Sequence, residues 1–292
     1  MRQNRFFSRY EKWGFPQQEN VALPTVIRVQ ASRIADEELL VRLRKRGARL
    51  SKIPFLPHAY AFEADFSASS TQEYLEGYYY IQETASQLPI ALVQKVVSDA
   101  SLIVDTCAAP GSKTTQAADM FADSQIIAMD ASHSRLAALL NNVERMKAGN
   151  VITIHKDAAY VDDLGISADI VLLDAPCSGN FATDPAWMQK RELEDFGKMA
   201  VQQKTLLDAA WQILQPGGLL VYSTCSLEKE ENEDVVDHFL LVQDDADLMP
   251  IDKEQLGIGA DGLTETSRGA LRMWPVPHGT QGFFIALLQK RM

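Results

Sequence analysis

The stretch Ala168-Asp-Ile-Val-Leu-Leu-Asp-Ala-Pro-Cys-Ser-Gly179 constrains the fold more than any other part of the chain. A mostly apolar run ends in Asp174, and a Pro-Cys-Ser-Gly turn follows at once. Such a run, bounded by Pro and Gly, is expected to be a strand buried on both faces, as in a parallel sheet covered by helices. Polar groups at the C-terminal end of such a strand lie where open α/β sheets bind ligands. Asp174 and Cys177 are thereby placed at a functional edge. The stretch Gly217-Gly-Leu-Leu-Val-Tyr-Ser-Thr-Cys-Ser226 repeats the design and delivers Cys225 to the end of a second strand.

Around these two stretches the chain alternates helical and extended patterns from Pro89 onward, the signature of a doubly wound parallel sheet. Strands are expected at 102–106, 125–130, 151–156, 169–174 and 218–223, with the last two at 271–274 and 282–289. Helices are expected at 113–121, 134–147, 188–214 (with a break near Gly197) and 229–241. Upstream, 25–30 alternates like a half-buried strand. Residues 36–46 read as an amphipathic helix with Leu39, Leu40 and Leu43 as its apolar stripe and Gly47 as its stop. Residues 53–57 and 60–62 read as further extended chain, and residues 1–24 as a lead-in with a helix over 6–13. The Ser-, Thr- and Ala-rich segment 64–72 reads as a linker. The expected division is therefore a small α+β module over 1–72 and a larger α/β domain over 73–292. Tyr78, Tyr79 and Tyr80 offer either stacking surfaces for bases or a packed hinge, the hinge being favoured.

Composition narrows the class. With 46% hydrophobic residues in 292 the chain can bury a substantial core, yet no apolar run approaches the ~20 residues of a membrane span. Its first residues lack the apolar segment and small-residue cleavage site of a signal peptide. The three cysteines, Cys107, Cys177 and Cys225, are far apart with no Cys-x-x-Cys. That argues against a disulfide framework and a zinc site and points to a reducing cytoplasm. The five histidines show no His-Glu-x-x-His pattern, so no metal is expected. The net charge of −11 is unevenly spread: residues 1–55 carry 12 Lys/Arg against 5 Asp/Glu, and residues 228–265 carry 13 Asp/Glu against 2 Lys/Arg. The basic end reads equally as an RNA-facing surface or a solvated one. The acidic segment reads as solvated surface.

The turn Asp105-Thr-Cys-Ala-Ala-Pro-Gly-Ser-Lys-Thr114 leaves one strand and opens a helix, the position of a nucleotide-binding loop. With Gly111 as its one glycine it is neither Gly-x-Gly-x-x-Gly nor a P-loop. Ala108, Ala109 and Gly111 let a ligand approach the backbone without offering a full phosphate nest, which suits a nucleoside without phosphates, such as S-adenosylmethionine. Asp130 closes the next strand, where an acid accepts hydrogen bonds from ribose hydroxyls. Asp157 and Asp174 end the third and fourth strands. Singly, each of these acids reads as a cap or turn residue. Four along one sheet edge describe a site for a cationic, hydroxyl-rich ligand.

The motifs Asp-x-Cys-Ala-Ala-Pro-Gly-x-Lys-Thr, Asp-Ala-Pro-Cys-Ser-Gly and Ser-Thr-Cys-Ser occur in order at expected strand ends. Together they resemble the Nop/Sun family of RNA 5-methylcytosine methyltransferases, most closely its short archaeal tRNA-type members. The likeness extends into Tyr74-Leu-Glu-Gly-Tyr-Tyr-Tyr-Ile-Gln-Glu-Thr-Ala-Ser86 and His278-Gly-Thr-Gln-Gly-Phe-Phe284. The resemblance implies a seven-stranded Rossmann-like methyltransferase sheet with a small N-terminal α+β RNA-binding module, S-adenosyl-L-methionine as cofactor, and RNA as partner, with tRNA favoured and rRNA the alternative. Cytosine C5 is too electron-poor to take a methyl group unless a nucleophile first adds at C6, which is covalent catalysis. By resemblance Cys225 is that nucleophile, Cys177 assists release, Asp174 holds the cytosine N3 edge and Lys113 supports the cluster or is a plain helix-start lysine. The cofactor set carried over is Cys107, Ala108, Ala109, Pro110, Gly111, Ser112, Lys113, Asp130, Arg135, Asp157 and Asp174. Within it Cys107 reads as structural, and Arg135 reads as a ribose-edge or a helix-surface residue. Phe181 and Asp184 depart from the family pattern, which usually has Gly and then basic residues there. Because the target base must leave its stack, Phe181 is expected to pack against the neighbour of the flipped base. The competing readings are a catalytically silent RNA-binding or assembly factor that keeps the pocket, and a small-molecule methyltransferase. The residues do not specify an oligomeric state; a monomer fits.

Overall fold

The structure, a computed structural model, describes residues 2–17 and 21–292, with residues 2–4 as backbone alone. Met1 and residues 18–20 of the expected lead-in lie outside the described residues. In chain order the first elements are α1 (Arg2–Lys12), β1 (Thr25–Val29), α2 (Asp36–Lys45), β2 (Arg49–Lys52), β3 (Ala59–Glu63), α3 (Gln72–Leu75), β4 (Tyr79–Ile81) and α4 (Leu88–Val96). Then come β5 (Leu102–Asp105), α5 (Ser112–Met120), β6 (Gln125–Asp130), α6 (His133–Arg145), β7 (Val151–His155) and β8 (Ala168–Asp174). The remainder is α7 (Trp187–Lys190), α8 (Leu193–Gln212), β9 (Leu214–Thr224), α9 (Glu233–Val242), β10 (Ala246–Met249), α10 (Lys253–Leu256), β11 (Ala260–Asp261), β12 (Leu271–Met273), α11 (Pro275–His278) and β13 (Phe283–Lys290).

Packing divides the chain into two compact units, residues 24–157 and residues 1–23 with 158–292. The segment read as a linker is part of the first unit's core. Ala68 and Thr71 are buried, Ser67 and Thr71 cap two short helical turns, and the Thr71 and Tyr79 hydroxyls lie 2.6 Å apart. Small hydroxyl residues serve caps as readily as linkers, which is why composition read the segment as a linker.

In the unit 24–157 a four-stranded antiparallel sheet runs in the order β2-β3-β1-β4. Leu39, Leu40 and Leu43 of α2 are all buried against Ile27, Val29 and Tyr79, as the apolar stripe demands. The Asp36 carboxylate does not cap α2; it accepts from the Tyr60 hydroxyl at 2.7 Å. Tyr79 and Tyr80 are buried, and the Arg145 guanidinium lies 4.0 Å from the Tyr74 ring and 5.4 Å from that of Tyr80. These rings are packing surfaces, not stacking platforms for bases. Arg28 is 1% exposed and donates to Gln82 and to Thr115 of α5; its burial lowers its pKa to about 10. Gly77 has a φ of +73° and leaves no room for a side chain, since a Cβ there would lie 1.9 Å from the Arg145 carbonyl oxygen. Strands β5, β6 and β7 run parallel in that order, so Asp105, Asp130 and Asp157 come off the same end.

In the other unit β8 and β9 are parallel neighbours, and β13, β12 and β11 continue antiparallel beyond β9, with β10 also on β13. Strands β10 and β11, of four and two residues, are too short to show a period in the sequence. The expected break at Gly197 falls instead between α7 and α8, where Glu192 and Asp195 form a capping box that restarts the helix. Helix α1 sets Phe6 and Tyr10 into a cluster with Phe181, Trp187, Phe196 and Trp274. Burying an aromatic side chain of this kind contributes roughly 1.5–3 kcal/mol before its ordering is deducted. No helix among the described residues is long and apolar enough to cross a membrane.

Candidate active site

Strand register brings the two sequence-predicted cysteines together. Asp174 at the end of β8 pairs in register with Ser223 of β9, so the chain that continues from each strand leaves the same edge of the sheet. Three residues beyond Asp174 and two beyond Ser223, the Cys177 and Cys225 sulfurs are 3.2 Å apart, and both residues are half-buried. The Ser223 hydroxyl donates to Asp174 Oδ1 at 2.7 Å and orients that carboxylate beside the pair. The Asn180 amide donates to the Cys225 carbonyl at 2.6 Å and ties one cysteine loop to the other. The adjacent Cys225, with burial second, pushes the Cys177 thiol well up. Two sulfurs at this distance do not both ionise, so at least one of the pair keeps its proton.

Behind the thiols lies a polar layer that the sequence concealed. Glu228, Glu231, Asn232 and Glu233 are all fully buried, which corrects the reading of solvated surface for the start of the acidic segment; Asp244, Asp247, Asp252, Glu254, Asp261 and Glu265 are exposed, as that reading expects. Each finds donors from elsewhere in the chain. Glu233 pairs with buried Arg272 through two hydrogen bonds, Glu228 accepts from the Tyr10 hydroxyl at 2.6 Å, and Asn232 accepts from Thr224 at 2.6 Å. Glu231 accepts from Ser178 and Ser226, the residues that follow the two cysteines. Sequence reasoning missed Glu231, Gln203 and Asn180; the one signal was a dense acidic run starting directly after Ser-Thr-Cys-Ser. Phe181 is also corrected. It is buried, edge-on to Phe7 with ring centroids 5.2 Å apart and stacked on Tyr10 at 6.2 Å, so its ring packs against α1 and not against the neighbour of a flipped base. Asp184 is neutralised locally: the Lys190 ammonium at 2.7 Å lowers its pKa, and its carboxylate also accepts from the Ala186 amide.

In the unit 24–157 the loop after β5 is held from both sides. Asp105 is buried and accepts from the Thr114 hydroxyl at 2.7 Å. Ala108 and Ala109 pack with Ala128 and Leu139, which explains their size. Gly111 turns the loop into α5 at a φ of +102°, where a Cβ would lie 2.9 Å from Leu139 Cδ1, and the Pro110 carbonyl accepts from Asn142 at 2.9 Å. Asp130 is buried and accepts from the amides of Ala109 at 3.2 Å and Ser132 at 2.9 Å. Arg135 lies 3.4 Å from Asp130 and donates to the Ala109 carbonyl, so it braces the loop and is more than a helix-surface residue. Lys113 is only 6% exposed in the first turn of α5. Cys107 and Ser112 are half-buried, and Pro110 and Asp157 are exposed. Among the described residues there is no group of three or more side chains able to hold a metal ion.

Parallel strands ending in acids, with a small-residue loop opening the helix after the first of them, define the Rossmann-like methyltransferase class. The likeness to solved structures agrees. A methyltransferase homologue from Pyrococcus horikoshii superposes with a TM-score of 0.81 at 33% identity, over 92% of this chain and 87% of that one. NSun6 from the same organism, solved with SFG, superposes with a TM-score of 0.81 at 27% identity, over 93% and 92% of the two chains. Residues 92–289 match the family described as 16S rRNA methyltransferase RsmB/F, and the chain belongs to that family of RNA methyltransferases. Ribosomal RNA small subunit methyltransferase F of Cronobacter sakazakii is 35% identical over 272 residues, and that of Shewanella sediminis 37% over 275. The chain spans 56% of the length of each.

Proposed function

We propose that this chain is an S-adenosylmethionine-dependent RNA methyltransferase that makes 5-methylcytosine. The names of its curated relatives favour small-subunit ribosomal RNA over the tRNA suggested by the short archaeal members. The observation that carries the reading is the 3.2 Å approach of Cys177 and Cys225 beside Asp174.

The residues fit the cofactor. A loop of small side chains with carboxylates at the strand ends suits hydroxyls and a cationic sulfonium, and it lacks the glycines of a phosphate nest. Cys107 to Lys113, with Asp130, Arg135 and Asp157, would hold it, Arg135 by bracing the loop. When bound, the cofactor supplies an electrophilic methyl group. The chain's own residues do the rest. The Cys225 thiolate bonds to C6 of the cytosine, and the displaced π electrons make C5 nucleophilic, with Asp174 at the N3 edge. C5, so activated, is the atom that would take the methyl group, the methyl–sulfur bond of the cofactor breaking with its electron pair left on sulfur. Once the Cys225 sulfur is tied to C6 its charge is gone, and the largest influence raising the Cys177 thiol goes with it. Cys177 can then pass its own proton to solvent and, as thiolate, take the C5 proton; the C5–H electron pair re-forms the C5–C6 double bond as the C6–sulfur bond breaks and releases the Cys225 thiolate. Lys113, buried at the start of α5, is assigned with its loop to the support of the cofactor.

The exposed basic residues Arg44, Lys45, Arg46, Arg49 and Lys52 of α2 and β2 make the four-stranded module the RNA-binding surface, with the salt sensitivity that phosphate contacts bring. A catalytically silent assembly factor has no use for two thiols in contact. The test is methylation of separated small-subunit rRNA and tRNA pools, read as 5-methylcytosine by nucleoside mass spectrometry, with covalent protein–RNA adducts read on denaturing gels. Cys177→Ala should accumulate an adduct, and Cys225→Ala should form neither adduct nor product. Full turnover by Cys225→Ala overturns the mechanism, and label confined to the tRNA pool overturns the choice of RNA.

A further inference from the structure

Glu231 is fully buried and pairs with no cation among the described residues. One carboxylate oxygen accepts from the Ser178 amide at 2.9 Å and the Gln203 side chain at 2.9 Å. The other accepts from the Ser226 hydroxyl at 2.8 Å and from the Ser178 hydroxyl. Ser178 follows Cys177 and Ser226 follows Cys225, so one carboxylate touches both cysteine loops at a single residue's remove from each sulfur. Gln203 extends the grip to the Pro176 carbonyl, on the other side of Cys177, at 2.9 Å. The Tyr222 hydroxyl in turn holds the Glu231 carbonyl. A buried carboxylate without a cation is costly unless well supplied with donors. The two serine hydroxyls are already 3.3 Å apart, so bracing alone would not require a charge.

We propose that Glu231 is a positioning residue for the thiol pair, its carboxylate gripping Ser178 and Ser226 together and so fixing the separation of Cys177 and Cys225. Its charge has a second effect. Burial raises the Glu231 carboxyl itself, and where it is ionised it is, after Cys225 and burial, a further cause holding the Cys177 thiol up. The other charged or titratable groups on this site are Asp174, Tyr222, Glu228 and Arg191, whose guanidinium donates to the Ser178 carbonyl at 3.1 Å. The Tyr222 phenol is itself pushed well up by burial and stays neutral.

The roles of the two thiols rest on the function proposed above, but the decisive measurements need no RNA. Full-length wild type, Glu231→Gln and Glu231→Ala are compared by titration with phenylarsine oxide, which bridges two close thiols. They are also compared by the pH dependence of iodoacetamide labelling at Cys177, read by peptide mass spectrometry. In Glu231→Gln the carbonyl can accept from Ser178 and Gln203 while the amide donates to the hydroxyls. The geometry is thus kept and the charge removed. That variant should bind the arsenical within about twofold of wild type, while its Cys177 labelling midpoint falls by about one pH unit, as expected for loss of a like charge. Glu231→Ala should lose about tenfold or more in arsenical affinity, and in methylation kcat with the KM for RNA unchanged, the size of one lost charged hydrogen-bond group. Unchanged labelling in Glu231→Gln overturns the charge effect, and unchanged arsenical affinity in folded Glu231→Ala overturns the grip. Should Glu231→Ala not fold, Glu231→Asp, whose shorter arm cannot reach both serines, takes its place with the same expected loss. Thiol measurements that move as stated, with a wild type inert on RNA, would overturn the proposed function and leave Glu231's place intact.

Discussion

Consider Glu228→Gln. The Glu228 side chain is fully buried, accepts the Tyr10 hydroxyl at 2.6 Å and lies 3.0 Å from the Arg9 guanidinium. Burial is the largest influence on it, and it outweighs Arg9 and Tyr10 to push the pKa from 4.5 up to about 7. An unfolded chain releases this proton near its ordinary value, so through the interval between the two values the folded state binds more protons than the unfolded. The stabilising contribution is therefore fully present at the acid end and is lost as pH rises through about 7. Integrated from about pH 5 to about pH 8, the loss is about 2–3 kcal/mol. Glutamine does not titrate and lacks this slope. Urea unfolding of both proteins at closely spaced pH values, followed by tryptophan fluorescence, measures it, since groups common to the two cancel in the difference. Wild type should fall relative to Glu228→Gln by about 2–3 kcal/mol across that interval. Parallel stability curves, or a wild type that gains on the variant as pH rises, would refute the reasoning.

Two other substitutions probe the same architecture. Phe181→Ala empties the ring site between Phe7 and Tyr10 and should cost about 3–5 kcal/mol in a denaturant melt; an unchanged midpoint would return Phe181 to the surface. Gly111→Ala forces a side chain into a positive-φ turn and against Leu139. It should lose about 1–2 kcal/mol of stability and bind S-adenosylmethionine more weakly by calorimetry.

The sheet edge was legible because its strands are apolar runs with acids and turn residues at one end, a pattern carried by consecutive positions. Pairing of Asp174 with Ser223 then turned two separate motifs into one thiol pair. Leu39, Leu40 and Leu43 were legible for the same local reason. The burial of Glu228, Glu231 and Glu233 was not, because their donors come from Tyr10, Ser178, Gln203 and Arg272, and a run of acids looks the same whether water or protein satisfies it. Phe181 was misread because a family departure at a cysteine loop invites a ligand role, whereas its partners are supplied by α1 at the other end of the sequence. Segment 64–72 was misread because Ser67 and Thr71 act as caps.

The seating of α1 has a consequence for biosynthesis. Tyr10 and its acceptor Glu228 are 218 positions apart, an interval a ribosome takes roughly 10–45 s to traverse at about 5–20 residues per second. Throughout that delay the greasy flank of the nascent helix carries Phe6, Phe7 and Tyr10 with nothing to cover it. The sheet β2-β3-β1-β4 has all its strands within residues 25–81, so it can pair while the polypeptide is still growing. The half bearing the thiols must wait for its far end to be translated, and it is in that waiting period that a holdase would find its grip.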